Sequence, residues 1–357
     1  MRQLTINLDR WEIGSEFAWL DRFTVPSQSH FPQHCERFTT ATVALLSLIR
    51  SLKSTRIHLP SFFCLNVAKK LSTLCEICWY RDLPTQSHPD FQTLHPNPGD
   101  IVLAVNFFGI RTDSAWGDWF AQHSDCILIE DHSHDPFSDW AKRSQAHYAI
   151  ASLRKTLPLP DGAMLWSPQQ LPIPQPSAAP SKGAEYKLSA MVLKQAYLRG
   201  AELSKTAYRS LQLQGEQLLF DEMNARASDI SIALLSCLDI EQFQQQRRSN
   251  VEQFLALSSE LDQSDWYPLF QSWHRGSTPF NAVIVCRDQI YRNSMRCYLT
   301  SRNIFTAVHW QQPATAPDSL AVELSNRILT IPVDQRYCSD DIQQMIDVLS
   351  RFEEVMA

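Results

Sequence analysis

The sequence predicts an α/β fold, with a large domain built on a mostly parallel sheet flanked by helices and a small C-terminal α+β domain. Three observations carry this expectation. From residue 39 to 133, short apolar runs bounded by turn residues alternate with stretches of helical spacing. At least two of those runs read as buried on both faces, as the strands of a parallel sheet are. Residues 280–356 then give strand, helix, strand, helix.

Taken in order, TTATVALLSLIRSL (39–52) is apolar at helical spacing and opens on threonines that can cap it, so it predicts a helix. RIHLP (56–60), EICWYRD (76–82), DIVLAVNFFG (100–109) and CILIEDHS (126–133) predict strands. VAKKLSTL (67–74) and DSAWGDWFAQH (113–123) predict the crossover helices between them. PQQLPIPQPSAAPSKG (168–183) is dense in proline and small residues, which predicts a surface connection without regular structure that ends the sheet. KLSAMVLKQAYLRGAELSKTAYRSL (187–211) predicts one long helix, and residues 228–261 a second, broken near Leu238 to Ile240. FNAVIVC (280–286) and RILTIPV (327–333) predict strands, and 291–303 and 339–356 helices. The domain boundary is expected at residue 220, giving 1–220 and 221–357.

Composition narrows the function. A chain of 357 residues with 44% hydrophobic content can bury a sizeable core. Its net charge of −6, without a run of five like charges, argues against nucleic acid as a partner. The N-terminal MRQLTINLDRWEIGSEF lacks the unbroken apolar run of a signal peptide. No stretch approaches the roughly 20 apolar residues of a membrane span, so no membrane partner is expected and the expected location is the cytoplasm. Nine scattered cysteines fit reduced thiols better than a disulfide framework, and Cys75 and Cys78 in CEIC read as buried thiols of a strand because no second CxxC accompanies them.

The chemistry gathers where strands end. Ligands of open α/β sheets sit outside the carboxyl ends of strands, and ILIEDHSHD places Glu130, Asp131, His132, His134 and Asp135 at such an end. Lys155, between a small-residue stretch and a proline-rich turn in ASLRKTLPLPDGAM, becomes a nucleophile toward carbonyls if its surroundings lower its pKa. The commonest cofactor presenting an aldehyde is pyridoxal phosphate. It needs an acid at the pyridine nitrogen, donors for its phosphate at a helix N-terminus and a flat apolar cover. Asp131 suits the first, Thr39, Thr40 and Thr42 the second, and Phe62 or Phe63 of PSFFC the third.

These pieces, in this order, resemble the fold-type-I pyridoxal-phosphate enzymes, and among them the nucleotide-sugar aminotransferases of the DegT/StrS type. TTATVALLSL stands where that family has Gly-Ser-Gly-Thr-x-Ala-Leu, LPSFFC where it has Pro-Ser-x-x-aromatic, and VNFFGIRTD where it has His-x-[Phe/Tyr]-Gly-x-x-x-Asp. IEDHSH matches Glu-Asp-x-Ala-Gln, SLRKTLPLPDGA the lysine loop, and NARASDISIALL the Asn-Tyr-Arg-Met-Ser segment, so the resemblance runs from about residue 36 to the end. It implies that Lys155 forms the internal aldimine, that Asp131 pairs the pyridine nitrogen, and that His134 replaces the glutamine beside the phenolic oxygen. It implies phosphate contacts from Ser152, Thr40 and Thr42, and from Asn224 across a homodimer with shared active sites. The implied reaction moves an amino group from an amino acid such as glutamate to a nucleotide-linked keto sugar.

The sequence departs from the family pattern as well. It has only nine glycines, Thr39 and Ala41 stand at glycine positions of the phosphate cup, and Ser152 lies three residues before Lys155 where many members have five. The alternative function is a protein of the same fold that binds the cofactor but does other chemistry or none. Residue by residue, plainer roles compete. Asp131 can cap the turn after its strand, Asn224 can start a helix, and Phe62 and Phe63 can be core. His132 and His134, two apart on one side of a strand, can join Asp135 at a metal, although no third His or Cys has paired spacing and no metal is expected.

Overall fold

A computed structural model describes residues 10–20 and 31–356. Its centre is a nine-stranded sheet, in spatial order β4 (Glu76–Tyr80), β3 (Arg56–Pro60), β5 (Ile101–Val105), β6 (Ile127–Asp131), β7 (Tyr148–Ser152), β8 (Ala163–Trp166), β2 (Cys35–Phe38), β10 (Ala225–Arg226) and β9 (Ser177–Pro180). From β4 to β7 every pairing is parallel; β8 runs against both β7 and β2. All five residues of β5 are buried, as the unbroken IVLAV run requires of a strand covered on both faces. The covering helices include α1 (Ala41–Leu52), α2 (Leu65–Leu71), α3 (Ser114–Gln122) and the short α4 (Asp139–Arg143). Helix α1 starts where expected: Thr40, in extended conformation, accepts the Val43 N–H on its hydroxyl at 3.2 Å.

The C-terminal part carries a three-stranded antiparallel sheet in the order β11 (Trp266–Pro268), β12 (Ala282–Cys286) and β14 (Ile328–Ile331). Around it lie α8 (Ile240–Ser258), α9 (Gln289–Ser301), α10 (Ser319–Arg327) and α11 (Ser339–Met356). Near the N-terminus β1 (Ile13–Gly14) pairs in parallel with β13 (Ile304–Phe305). Only glycine suits position 14, because at its φ of +87° a Cβ would lie 2.1 Å from the Phe305 carbonyl oxygen. Gly109, at φ +69°, lets the loop after β5 dock on the second unit: a Cβ there would meet the Thr278 carbonyl at 2.5 Å.

The expected α/β class and most elements are present, and three expectations need correction. The single helix at 187–211 is an antiparallel pair, α5 (Lys182–Leu198) and α6 (Lys205–Asp221). Gly200 turns left-handed at φ +97°, and the Ala201 N–H returns to the Ala196 carbonyl at 3.0 Å, so the chain reverses within one stretch of helical composition. The proline-rich stretch does not end the sheet. Ser177–Pro180 become β9 because the Ser177 N–H finds the Asn224 carbonyl at 2.7 Å, a partner remote in sequence. For the same reason residue 220 does not divide the units, since Arg226 of β10 pairs with Phe38 of β2 in the large sheet. The break expected near Leu238 is present, between α7 (Asp229–Leu235) and α8.

Candidate active site

Asp131, Ser152 and Lys155 come together because β6 and β7 are parallel neighbours and end side by side. Lys155 closes a turn of 3₁₀ helix, Leu153–Lys155, directly after β7. Burial pushes its amine below the usual lysine range, and the Asp131 carboxylate is the chief influence acting the other way. Asp131 also serves its turn: one oxygen accepts the Ser133 N–H at 2.9 Å, while the other has no hydrogen-bond partner among the described residues.

His134 faces the amine, with Nε2 3.5 Å from Lys155 Nζ. Its Nδ1 accepts the Phe108 N–H at 3.0 Å. Burial, with Lys155 and His309 beside it adding to the effect, holds this imidazole well below its usual range, so it is neutral. A neutral ring that accepts at Nδ1 carries its proton on Nε2, and that N–H is the atom turned toward Lys155. Phe108 takes φ +52° to aim its N–H, a conformation that costs a non-glycine residue about 1 kcal/mol or more. The ring is clamped by near-parallel neighbours, Phe280 at 4.6 Å and Trp310 at 5.5 Å between centroids. Trp310 also lies under Lys155, 5.7 Å from Nζ. Burial takes His309 down to about 3, so the second histidine of the site is neutral as well.

His132 and His134 do not share a face. The strand ends at Asp131 and the chain turns, which sends His132 Nε2 to Glu130 at 2.9 Å and its ring against Trp140. Asp135 goes to a third place, accepting the Thr278 N–H at 2.6 Å. No group of three His, Cys, Asp or Glu side chains is arranged for a metal among the described residues.

The N-terminus of α1 lies open beside this centre. Thr40 and Thr42 open the helix; Thr40 spends its side chain on the cap, whereas the N–H groups of Ala41 and Thr42 and the Thr42 hydroxyl have no partner among the described residues. Three free donors at a helix start suit a phosphate. Thr39 does not crowd them: its hydroxyl turns away to Asp161 at 2.9 Å, and the Gly162 N–H closes on the Thr39 carbonyl at 2.7 Å. Asp161 also takes the hydroxyls of Ser228 and Ser231, at 2.6 and 2.5 Å, and so ties the lysine loop to α1 and α7. Ser152 is buried at the end of β7, its N–H held by the Ser133 hydroxyl at 3.0 Å. Phe62 and Phe63 are buried, with their rings 5.8 and 6.4 Å from that of Trp310 between centroids. Cys64, half-buried just ahead of α2, is the member of PSFFC close enough to bear on Lys155. Asn224 is exposed and accepts the Ser47 hydroxyl at 2.9 Å. The donors at α1, the acid at Asp131 and the half-buried amine together fit pyridoxal phosphate.

Outside this centre opens a cavity of about 610 Å³, with Lys155 and His309 on its floor and Arg154, Lys187, Arg209, Arg296 and Arg336 among its walls. Arg154 makes a two-bond ion pair with Glu216, at 2.7 and 2.8 Å, and Glu216 also accepts from Lys187 at 3.1 Å. Burial works to raise the Glu216 carboxyl, but the two cations outweigh it and hold it at about 2. Sequence reasoning did not find His309, Trp310, Phe108 or Glu216. Trp310 and His309 arrive from the second unit with no local pattern, while Arg154, beside the lysine, was the available sign that an acid must be near.

With this geometry in place, solved structures give a likeness over nearly the whole chain. An aminotransferase of Helicobacter pylori involved in pseudoaminic acid biosynthesis, PseC, superposes with a TM-score of 0.68 at 16% identity, covering 96% of this chain and 100% of that one. The chain has the fold of a fold-type-I aminotransferase. The aminotransferase TlmJ of Streptoalloteichus hindustanus gives 0.62 at 16% identity, over 90% and 86% of the two chains. A protein of Streptococcus pneumoniae assigned as a sugar aminotransferase, solved in its PLP form, gives 0.60 at 12% identity over 90% and 88%. No protein-family profile and no curated protein sequence matches this one. The fold thus agrees with the resemblance in the motifs where overall sequence similarity is slight.

Proposed function

We propose that the protein is a pyridoxal-phosphate-dependent aminotransferase that moves an amino group from an amino acid such as glutamate to a keto sugar, nucleotide-linked as the resemblance implies. The observation that carries this reading is the Lys155 amine, its basicity lowered by burial, held between the Asp131 carboxylate and the Nε2–H of a neutral His134. When bound, the cofactor supplies an aldehyde for amines and a ring that draws electrons from the substrate carbon next to the nitrogen. Asp131 would keep the ring nitrogen protonated through its free oxygen. Ala41, Thr42 and Ser152 would hold the phosphate, with Thr40 positioning the helix start. His134 would present its Nε2–H to the phenolic oxygen, and Phe63 would back the Trp310 ring beside Lys155. Lys155, as a free base, would take the proton from the substrate carbon and return it. The Trp310 and Phe280 rings would give that proton an apolar border.

A homodimer completes the reading. Leu213, Leu218, Phe220, Met223 and Ile232 are exposed apolar residues on α6, α7 and the segment joining them, which is also where Asn224 stands. The amide N–H of Asn224 is free among the described residues and suits a phosphate of the neighbouring chain. We place the large cofactor-binding domain ahead of α8 and the small domain after it, and the cytoplasm as the site of action. Among the described residues no helix is long and apolar enough to cross a membrane.

Adding pyridoxal phosphate should give a visible absorption band, borohydride should remove it while fixing cofactor mass on Lys155, and Lys155→Ala should lose both. A labelled peptide elsewhere overturns the assignment. Mixing inactive Lys155→Ala chains with Asn224→Ala chains should restore one complete site per hybrid dimer; no recovery after confirmed exchange returns Asn224 to its bond with Ser47.

A further inference from the structure

Among the cations that wall the Lys155 cavity, three are already neutralised. Arg154 has Glu216, Lys187 has Glu16 at 2.5 Å and Glu216, and Arg336 has Asp334 at 2.7 Å. Lys155 stands on the floor, where burial lowers its basicity and the Asp131 carboxylate is the chief influence opposing it. That leaves Arg209 and Arg296. Both are exposed, and neither guanidinium has an ion pair or hydrogen bond among the described residues. The two carboxylates on the cavity wall, Glu16 and Asp334, are those already taken.

The placement of these two arginines is built rather than incidental. On α6, Arg209, Gln212 and Leu213 line the cavity and Glu216 grips Arg154, which is one stripe at spacing 0, 3, 4 and 7. The Glu216 bond fixes that stripe to the residue next to Lys155, so Arg209 is held in a set relation to the reacting amine. On α9, Arg296 and Thr300 stand one turn apart on the face that lines the same cavity. Two helices from different parts of the fold therefore each turn an unpaired guanidinium and a polar neighbour to one opening. The cavity, about 610 Å³, lies within the usual 300–1,000 Å³ of small-molecule sites.

We propose that Arg209 and Arg296 form a clamp at the cavity mouth for an oxyanion that the substrate carries at the end remote from its reacting carbon. This rests on the reading of Lys155 as the reacting amine. A guanidinium binds phosphate or carboxylate through two parallel N–H bonds, and two of them on one group favour a doubly charged anion. The anion has two possible sources, a phosphate on the acceptor or the far carboxylate of the amino donor. It would leave the clamp's charge balanced only while substrate is bound.

Calorimetric titration of the cofactor-saturated protein with pyrophosphate and, separately, with glutarate tests the clamp. Arg209→Ala and Arg296→Ala should each weaken one of these anions about tenfold, and the double variant more, with the cofactor band unchanged; Arg209→Lys and Arg296→Lys should keep part of the binding. Loss confined to pyrophosphate assigns the clamp to the acceptor's phosphate, and loss confined to glutarate assigns it to the donor's carboxylate. A double variant that binds both anions as the wild type does, or a wild type that binds neither, overturns the proposal. If no cofactor band forms, the aminotransferase reading fails instead, and the difference between variant and wild type in the same titration still judges the clamp.

Discussion

The floor and the mouth of the Lys155 cavity handle charge in opposite ways. On the floor and directly behind it, burial removes it: His309 and His134 are neutral and Lys155 is pushed toward its free base; away from the cavity, burial likewise raises Asp135 to about 7. At the mouth, charge is kept and paired, as Arg154, Lys187 and Glu216 show, and only Arg209 and Arg296 stay uncompensated. The dielectric explains the difference. An ion costs several kcal/mol to bury alone but little at a wet surface with a partner. On the proposed reading, proton transfer between near-neutral groups would belong on the floor, and recognition of a charged substrate at the mouth.

The largest effect should come from the one floor residue that has to stay charged. Asp131→Asn should leave cofactor uptake partly intact while lowering turnover by about 10²–10³, as when one preorganised electrostatic element of a transition state is lost. Single-turnover absorbance measurements decide it, and near wild-type turnover would break the distinction between the two regions. At the mouth, Glu216→Gln should leave Arg154 and Lys187 short of a partner. For a partly exposed pair the stability loss should be about 1 kcal/mol in a denaturant titration, with the Michaelis constant changing more than the turnover number. A collapse of turnover would instead place Glu216 with the floor.

The smallest effect is a slope. Asp135 has its folded-state value at about 7 against an ordinary 3.8, because burial raises it more than the Thr278 N–H lowers it. Between those values the native state holds a proton that the unfolded chain has lost, so stability is full below the window and falls as pH rises through it. Asp135→Asn should flatten that fall, read as denaturation midpoints at pH 5 and pH 8. An unchanged slope means that Asp135 is ionised in the fold.

Local pattern carried the sequence reading a long way in some places and failed in others for identifiable reasons. The run IVLAV and the Thr40 cap announce β5 and α1 without help, since burial on both faces and a hydroxyl at a helix start are local matters. Helices α5 and α6 read as one because composition and spacing are continuous through Arg199–Gly200, and only the left-handed Gly200 and the packing of the pair separate them. Strands β9 and β10 are short and polar, and exist because each finds the other and β2.

The site divides along the same line. By itself the sequence singled out a lysine, an acid and a helix start as candidates, because Lys155, Asp131 and Thr40 to Thr42 each lie at the end of an element that periodicity reveals. Only the tertiary structure decided their state. His134 is neutral and carries its proton on Nε2 because a left-handed Phe108, 26 positions earlier, aims an N–H at it, and because Phe280 and Trp310 from the second unit take it out of water. Which cations are free was also decided there, since Glu216 neutralises Arg154 from 62 positions away. Sequence fixes which groups can titrate, whereas desolvation and pairing, which set how they do, depend on neighbours that the chain brings in from afar.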